Sequence, residues 1–81
     1  MRVHLLHFAS FREAVGRDRE ERELAEGTRV HELWNALSRE VALLRRYPSA
    51  PPAAVNREYV DGNTVLREGD EVAFLPPVAG G

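Results

Sequence analysis

The sequence contains no cysteine, which removes a disulfide framework, a thiolate nucleophile and a cysteine-ligated zinc site from consideration. Lysine is absent too, and all 11 basic residues are arginine. An arginine-favouring, thermophilic background is the plainest account of that bias. No 18-residue apolar run and no charged-then-apolar leader occurs, so the expectation is no membrane partner, no export and a cytoplasmic setting. Net charge is −2 with Arg and Glu interleaved, which argues against nucleic-acid backbones as the main partner. Catalytic patterns are missing as well. Gly62 and Gly69 are isolated turn glycines rather than a phosphate loop, and Ser10, Ser38 and Ser49 lack a nucleophile-elbow context. Glu68 and Asp70 flank a turn and simply favour it. His4 and His7, three apart on a strand, point to opposite faces and do not form a metal pair. A self-sufficient enzyme, or a chain that binds a cofactor of its own, is not expected.

What is present is an 81-residue chain, 43% apolar and 30% charged, enough for one domain with one modest core. Arg2 to Ala9 reads as a strand that is apolar on both faces, Val3 and Leu5 on one and Leu6 and Phe8 on the other. Ser10 to Glu13 matches a capping box opening a short helix that Gly16 can close in the left-handed region. Arg17 to Ala25, dense in charge, reads as an exposed second strand whose charges discourage edge pairing. Thr28 is the expected N-cap of the main helix, because Val30, Leu33, Trp34, Leu37 and Val41 form a stripe at helical spacing. Trp34 sits mid-stripe and reads as a core anchor, His31 as solvent-facing, and the Arg45-Arg46 doublet as solvated. The helix should loosen between Ser38 and Arg46, before the Pro-rich stretch from Tyr47 to Pro52. Ala53 to Asn56 and Glu58 to Val60 read as strand, Asp61 to Asn63 as a turn, and Glu71 to Leu75 as the last strand. The order β, short α, β, long α, β, β predicts an α+β layer fold: a mixed four- or five-stranded sheet on one main helix.

The end of the chain departs from this pattern. Pro76 and Pro77 lack backbone N–H groups and hold the chain extended, so the domain is expected to finish at residue 75. Residues 76–81 would then leave as a tail. Beyond the prolines come Val78, Ala79, Gly80 and Gly81, a thinning end that can reach roughly 20 Å at ~3.3 Å per residue. Such a tail can enter a channel that bulky side chains would block, carrying its carboxylate with it. A carboxylate becomes electrophilic once joined to the α-phosphate of ATP. A sulfur nucleophile can then convert the acyl adenylate to a thiocarboxylate. Gly80 and Gly81 place no Cβ in the way of either step. Partners must supply the ATP site and the sulfur. A chain activated in this way would also benefit from having no lysine or cysteine to attack its own acyl group.

The residues Ala54-Val55-Asn56, Leu66, the run from Gly69 to Phe74, and Pro76-Pro77-Val78 with Gly80-Gly81 carry a resemblance. Phe8-Ala9 and Arg12-Glu13 fit its start, whereas residues 43–52 show no particular match. On these residues the chain resembles the ubiquitin-like sulfur-carrier family, and within it the small subunits of molybdopterin synthase. The resemblance implies a ubiquitin-like β-grasp fold. It also implies adenylation of Gly81 by an E1-like adenylyltransferase that uses ATP. A sulfur donor, such as a cysteine desulfurase or a rhodanese-like protein, would supply the thiocarboxylate sulfur. The tail, Gly80 and Gly81 foremost, would deliver that sulfur to precursor Z (cyclic pyranopterin monophosphate) in the large subunit, within a heterotetramer of two small and two large subunits. By position, Phe8, Tyr59 and Leu75 would form the apolar patch both partners use, with Phe74 beside it and Pro76, Pro77, Val78 and Ala79 leading into the partner. Two other readings stand beside this one. A ubiquitin-like modifier would join Gly81 to lysines of other proteins, and a plain binding module would not respond to ATP. Sulfur carriage for thiamin or tRNA thiolation is a variant of the first reading.

Overall fold

The alternation of Val3 and Leu5 with polar neighbours produces strand β1, Arg2–Leu6, with both apolar side chains fully buried. The computed structural model describes residues 1–47 and 50–76. Expectations placed on Ser49, Pro77, Val78, Ala79, Gly80 and Gly81 therefore lie outside the described residues. After β1, Phe8 is extended and Ala9, at φ 47°, turns the chain into helix α1, Ala9–Val15. Strand β2, Arg19–Glu23, pairs antiparallel with β1 along its length, from Arg2↔Glu23 to Leu6↔Arg19. Helix α2 runs Val30–Glu40 and a 3-10 helix follows over Ala42–Arg46. Strands β3, Ala53–Val55, β4, Glu58–Val60, and β5, Glu71–Phe74, complete a five-stranded sheet of order β2-β1-β5-β3-β4. The neighbours β1 and β5 are parallel and all other pairs antiparallel. A parallel pair needs a long crossover, and α2 lies within the intervening chain.

Helix α2 lays Val30, Leu33, Trp34 and Leu37 on one face of the sheet, where they meet Val3, Leu5, Val72 and Phe74. Each large aliphatic side chain buried there contributes roughly 1.5–3 kcal/mol. Trp34 ties the layers together, with its ring centroid 5.5 Å from Phe11 of α1 and 5.2 Å from Phe74 of β5.

Several local readings are corrected by tertiary contacts. Ser10 does not cap α1, since the N-cap is Phe8 and the Ser10 hydroxyl is instead 3.2 Å from the Tyr47 hydroxyl. Gly16 does close the helix at φ 90°, its N–H donating to the Arg12 carbonyl. Thr28 does not cap α2 either. Its hydroxyl donates to the Ala25 carbonyl, and Glu32 accepts the N–H of Arg29, the residue at the N-cap. The next N–H groups, of Val30 and His31, go to the carbonyls of Thr64 and Gly62, so a neighbouring loop does the work of a cap. Arg45 is exposed, yet its Nε donates to the Ser38 carbonyl and so helps close the C-terminal end of α2. Asn56 and Arg57 separate β3 from β4 as a two-residue turn with φ 52° and 71°. This turn makes the strand count five. Arg57 in the left-handed region costs on the order of 1 kcal/mol.

A second network fixes the β2 edge. The buried His7 ring Nε2 is 2.9 Å from Glu20, and Glu20 also accepts from Arg22. Arg22 makes a two-pronged contact with Glu40 at the end of α2, with Nη1 donating to Oε2 at 2.7 Å. Burial pushes the Glu20 carboxyl up, but hydrogen bonds from His7 and Arg22 overcome that and leave it below its usual value of 4.5. Glu40 is lowered mainly by its hydrogen bond from Arg22, and that same bond raises Arg22. Depressed carboxylates add stability that is present above the unfolded value and lost as pH falls through the folded one. Thermal stability should therefore decline as pH drops below about 4.5. An Arg22→Leu variant should lose about 1 kcal/mol at pH 7, Glu40 being half exposed and its contribution screened. That difference should shrink towards pH 2 in a series of melting curves. A constant gap between the two proteins across that range would contradict the linkage.

Candidate functional site

The sheet face away from α2 carries a continuous cross-strand row. Register pairs Tyr59 with Ala54, Ala54 with Ala73, Ala73 with Leu6 and Leu6 with Arg19, one residue from each strand. Side chains of paired residues share a face, so four neighbouring positions of that row are apolar or aromatic and the fifth is cationic. Phe8 stands beside its β1 end, and Leu75 follows β5. Leu6, Phe8, Ala54, Ala73 and Leu75, with Arg19, Arg57 and Glu71, line a shallow depression of about 490 Å³. Tyr59, on the edge strand, is 77% exposed and Phe8 46%, well above what an isolated core would leave open.

Two features mark where the pairing of β5 ends. The Leu75 N–H donates to the Pro52 carbonyl, which continues the β3–β5 pairing one step past β5. Pro76 then offers no N–H to extend that pairing. Among the described residues, the β5 side of the sheet ends at Leu75, beside the apolar row.

Of the residues the sequence singled out for partner contact, the fold brings Phe8, Tyr59 and Leu75 to this one face. Phe74 is separated from them. It points the other way, 3% exposed against Trp34, because alternation along β5 gives Ala73 and Leu75 the open face. Leu6, Ala54 and Ala73 were not anticipated as part of the patch. The period-two alternation of β1 already placed Leu6 opposite Leu5, but the partners of Leu6 depend on strand order. His4 and His7 do fall on opposite faces, His7 inward to Glu20. Among the described residues no group of three or more His, Cys, Asp or Glu side chains is placed to hold a metal. No described helix is long and apolar enough to cross a membrane.

Asn56 holds the β3–β4 turn beside the patch. Its Nδ2 donates to Asp70, its Oδ1 accepts the Glu71 N–H, and its own N–H donates to the Glu71 carbonyl. Asp70 also accepts the Arg67 N–H, closing the turn that Gly69 makes at φ 83°. This explains why Asn56 and Gly69-Asp70-Glu71 stand out together in the sequence.

This sheet order, with its parallel β1–β5 pair and crossover helix, agrees with comparisons to known proteins. The ThiS family model matches residues 5–81, nearly the whole chain. The chain belongs to the ThiS family. It is 42% identical to the molybdopterin synthase sulfur carrier subunit of Mycobacterium tuberculosis, over 100% of this chain and 99% of that one. The solved structure of molybdopterin converting factor subunit 1 from Pyrococcus furiosus matches with a TM-score of 0.86 and 32% identity, covering 96% of this chain and 99% of that chain. A complex of subunits 1 and 2 of the Helicobacter pylori molybdopterin-converting factor matches with a TM-score of 0.68 and 27% identity over all of both chains. The fold is the ubiquitin-like β-grasp, as the resemblance implied.

Proposed function

We propose that this chain is the sulfur-carrying small subunit of a molybdopterin synthase. The observation that carries the reading is the open apolar row of Tyr59, Ala54, Ala73 and Leu6, with Phe8 and Leu75 beside it. A protein that takes in the tail must cover this row to reach it. The Gly81 carboxylate oxygen attacks the α-phosphate of ATP in an E1-like adenylyltransferase, and pyrophosphate leaves. The outer sulfur of a persulfide on a cysteine desulfurase or a rhodanese-like protein attacks the acyl carbon and AMP departs. A thiol then cleaves the acyl disulfide, leaving the sulfur on Gly81 and forming a disulfide with the donor cysteine. The resulting thiocarboxylate at Gly81 enters the large subunit and gives its sulfur to precursor Z, and water restores the carboxylate. The role of this chain is delivery. Phe8, Leu6, Ala73, Leu75 and Tyr59 hold the domain against each partner, and Pro76, Pro77, Val78 and Ala79 span the distance. Two small and two large subunits make the working assembly.

Intact mass tests the reading. After incubation with ATP, a sulfur donor and the activating enzyme, the chain should gain the difference between sulfur and oxygen. It should lose that gain on adding the large subunit with precursor Z. An unchanged mass beside an enzyme shown to be active would sink the proposal. Adducts on lysines of other proteins would favour the modifier instead.

A further inference from the structure

The depression beside the apolar row is bordered by Arg19 on β2 and Arg57 in the β3–β4 turn, with Glu71 between them. Two guanidinium groups against one carboxylate give this rim the opposite sign to the whole chain, whose net charge is −2. The far end of the same face is different, because there Arg2 lies 3.6 Å from Glu21 and 3.2 Å from Glu23. Among the described residues, Arg19 has no carboxylate within ion-pair distance. The shortest approach of Arg57 to Glu71 is 3.8 Å, from Nε, beyond hydrogen-bond distance, and its side chain is 88% exposed. An exposed guanidinium of this kind suits a forked contact with a carboxylate of another protein.

Arg57 also occupies its place against local preference. At φ 71° in a two-residue hairpin, glycine is the residue the backbone favours. The Arg57 side chain lines the depression on the open face, together with Arg19 and Glu71. Asn56, cross-linked to Asp70 and Glu71, keeps that turn in place.

We infer that Arg19 and Arg57 form a cationic frame around the apolar row, and that it reads carboxylates bordering an apolar surface on the protein that receives the tail. This rests on the carrier reading above and adds what selects the partner. The large subunit is the occupant we assign, because sulfur delivery requires the tail to be inserted while the row is covered. Charges at the rim of an apolar contact act chiefly on association rate and on rejection of wrong partners.

The test is association of the full chain with the large subunit, followed by stopped-flow or surface methods over a range of salt. The Arg19→Glu/Arg57→Glu pair should associate about tenfold more slowly at low ionic strength and converge with the unaltered chain as salt screens the rim. Arg57→Lys keeps the charge and should stay close to the unaltered rate. Arg57→Gly should melt at a higher temperature yet associate more slowly, a split that a purely structural arginine would not produce. Should the reversed pair fold poorly, Arg19→Gln with Arg57→Gly carries the same prediction without added like charge. Equal rates and equal salt dependence in a folded double variant would overturn the frame and leave the carrier reading standing. Failure of the unaltered chain to bind the large subunit at all would overturn both.

Discussion

Removing Gly81 alone is expected to abolish sulfur transfer completely while leaving the melting temperature unchanged. β5 ends at Phe74, the Leu75 N–H is satisfied by Pro52, and among the described residues the core reaches as far as Phe74. Glycine carries no side chain, so its removal takes none out of the core. Its deletion moves the carboxylate onto Gly80, one residue or about 3.5 Å short of where the partner's chemistry takes place. Positioning errors of an ångström already cost about a hundredfold in rate. Replacement of Gly81 by Ala should fall between the two, since a Cβ hinders attack at the acyl carbon without shortening the reach. Intact mass after the activation reaction, together with a melting curve, checks both halves. A Gly81 deletion that unfolds the domain would show that the tail is part of the fold. One that still gains sulfur would place the reactive group elsewhere.

Trp34→Ala is expected to be the most destabilising single truncation in the chain, at about 3–5 kcal/mol. Trp34 is 6% exposed and its ring contacts both Phe11 and Phe74, so one truncation opens the junction of α1, α2 and β5. A domain of this size holds only about 5–15 kcal/mol in total. At roughly 4–8 °C per kcal/mol, the melting temperature should drop by at least about 12 °C. Tyr59→Ala is the matching control. It removes an aromatic ring of similar size from a position that is 77% exposed, and should alter stability by no more than about 0.5 kcal/mol while weakening binding to the large subunit. Denaturant titration of the two variants measures the contrast. Comparable losses would mean that Trp34 is not the anchor of this core.

Phe74 shows where residue-by-residue reading stopped. Its neighbours in the sequence, Ala73 and Leu75, are smaller or similarly apolar, so a short apolar run did not announce which side faces α2. Only the pairing of β5 with both β1 and β3, which puts Ala73 beside Leu6 and Ala54, assigns Phe74 to the interior. The missed hairpin has a related cause. Asn56-Arg57 lacks the glycine that marks a two-residue turn, and the hydrogen bonds from Asn56 to Asp70 and Glu71 that hold it come from residues 14 and 15 positions away. Both helix N-termini were misread for the same reason. Ser10 and Thr28 had suitable side chains, but Tyr47 and the Gly62–Thr64 loop offered competing partners that sequence spacing cannot reveal.

By itself the sequence determined the elements. Helical spacing from Val30 to Leu37, alternation in β1, the charge density of β2 and the left-handed glycine at 16 are local properties, set within a few residues by sterics and burial. The Pro76-Pro77 break and the bare Gly80-Gly81 end are local in the same sense. Only the tertiary structure decided the open face. It is made by register across five strands, so Tyr59, Ala54, Ala73 and Leu6 become neighbours although up to 67 positions separate them in the chain. Strand pairing follows from which faces can be buried together, and that is a property of the whole sheet.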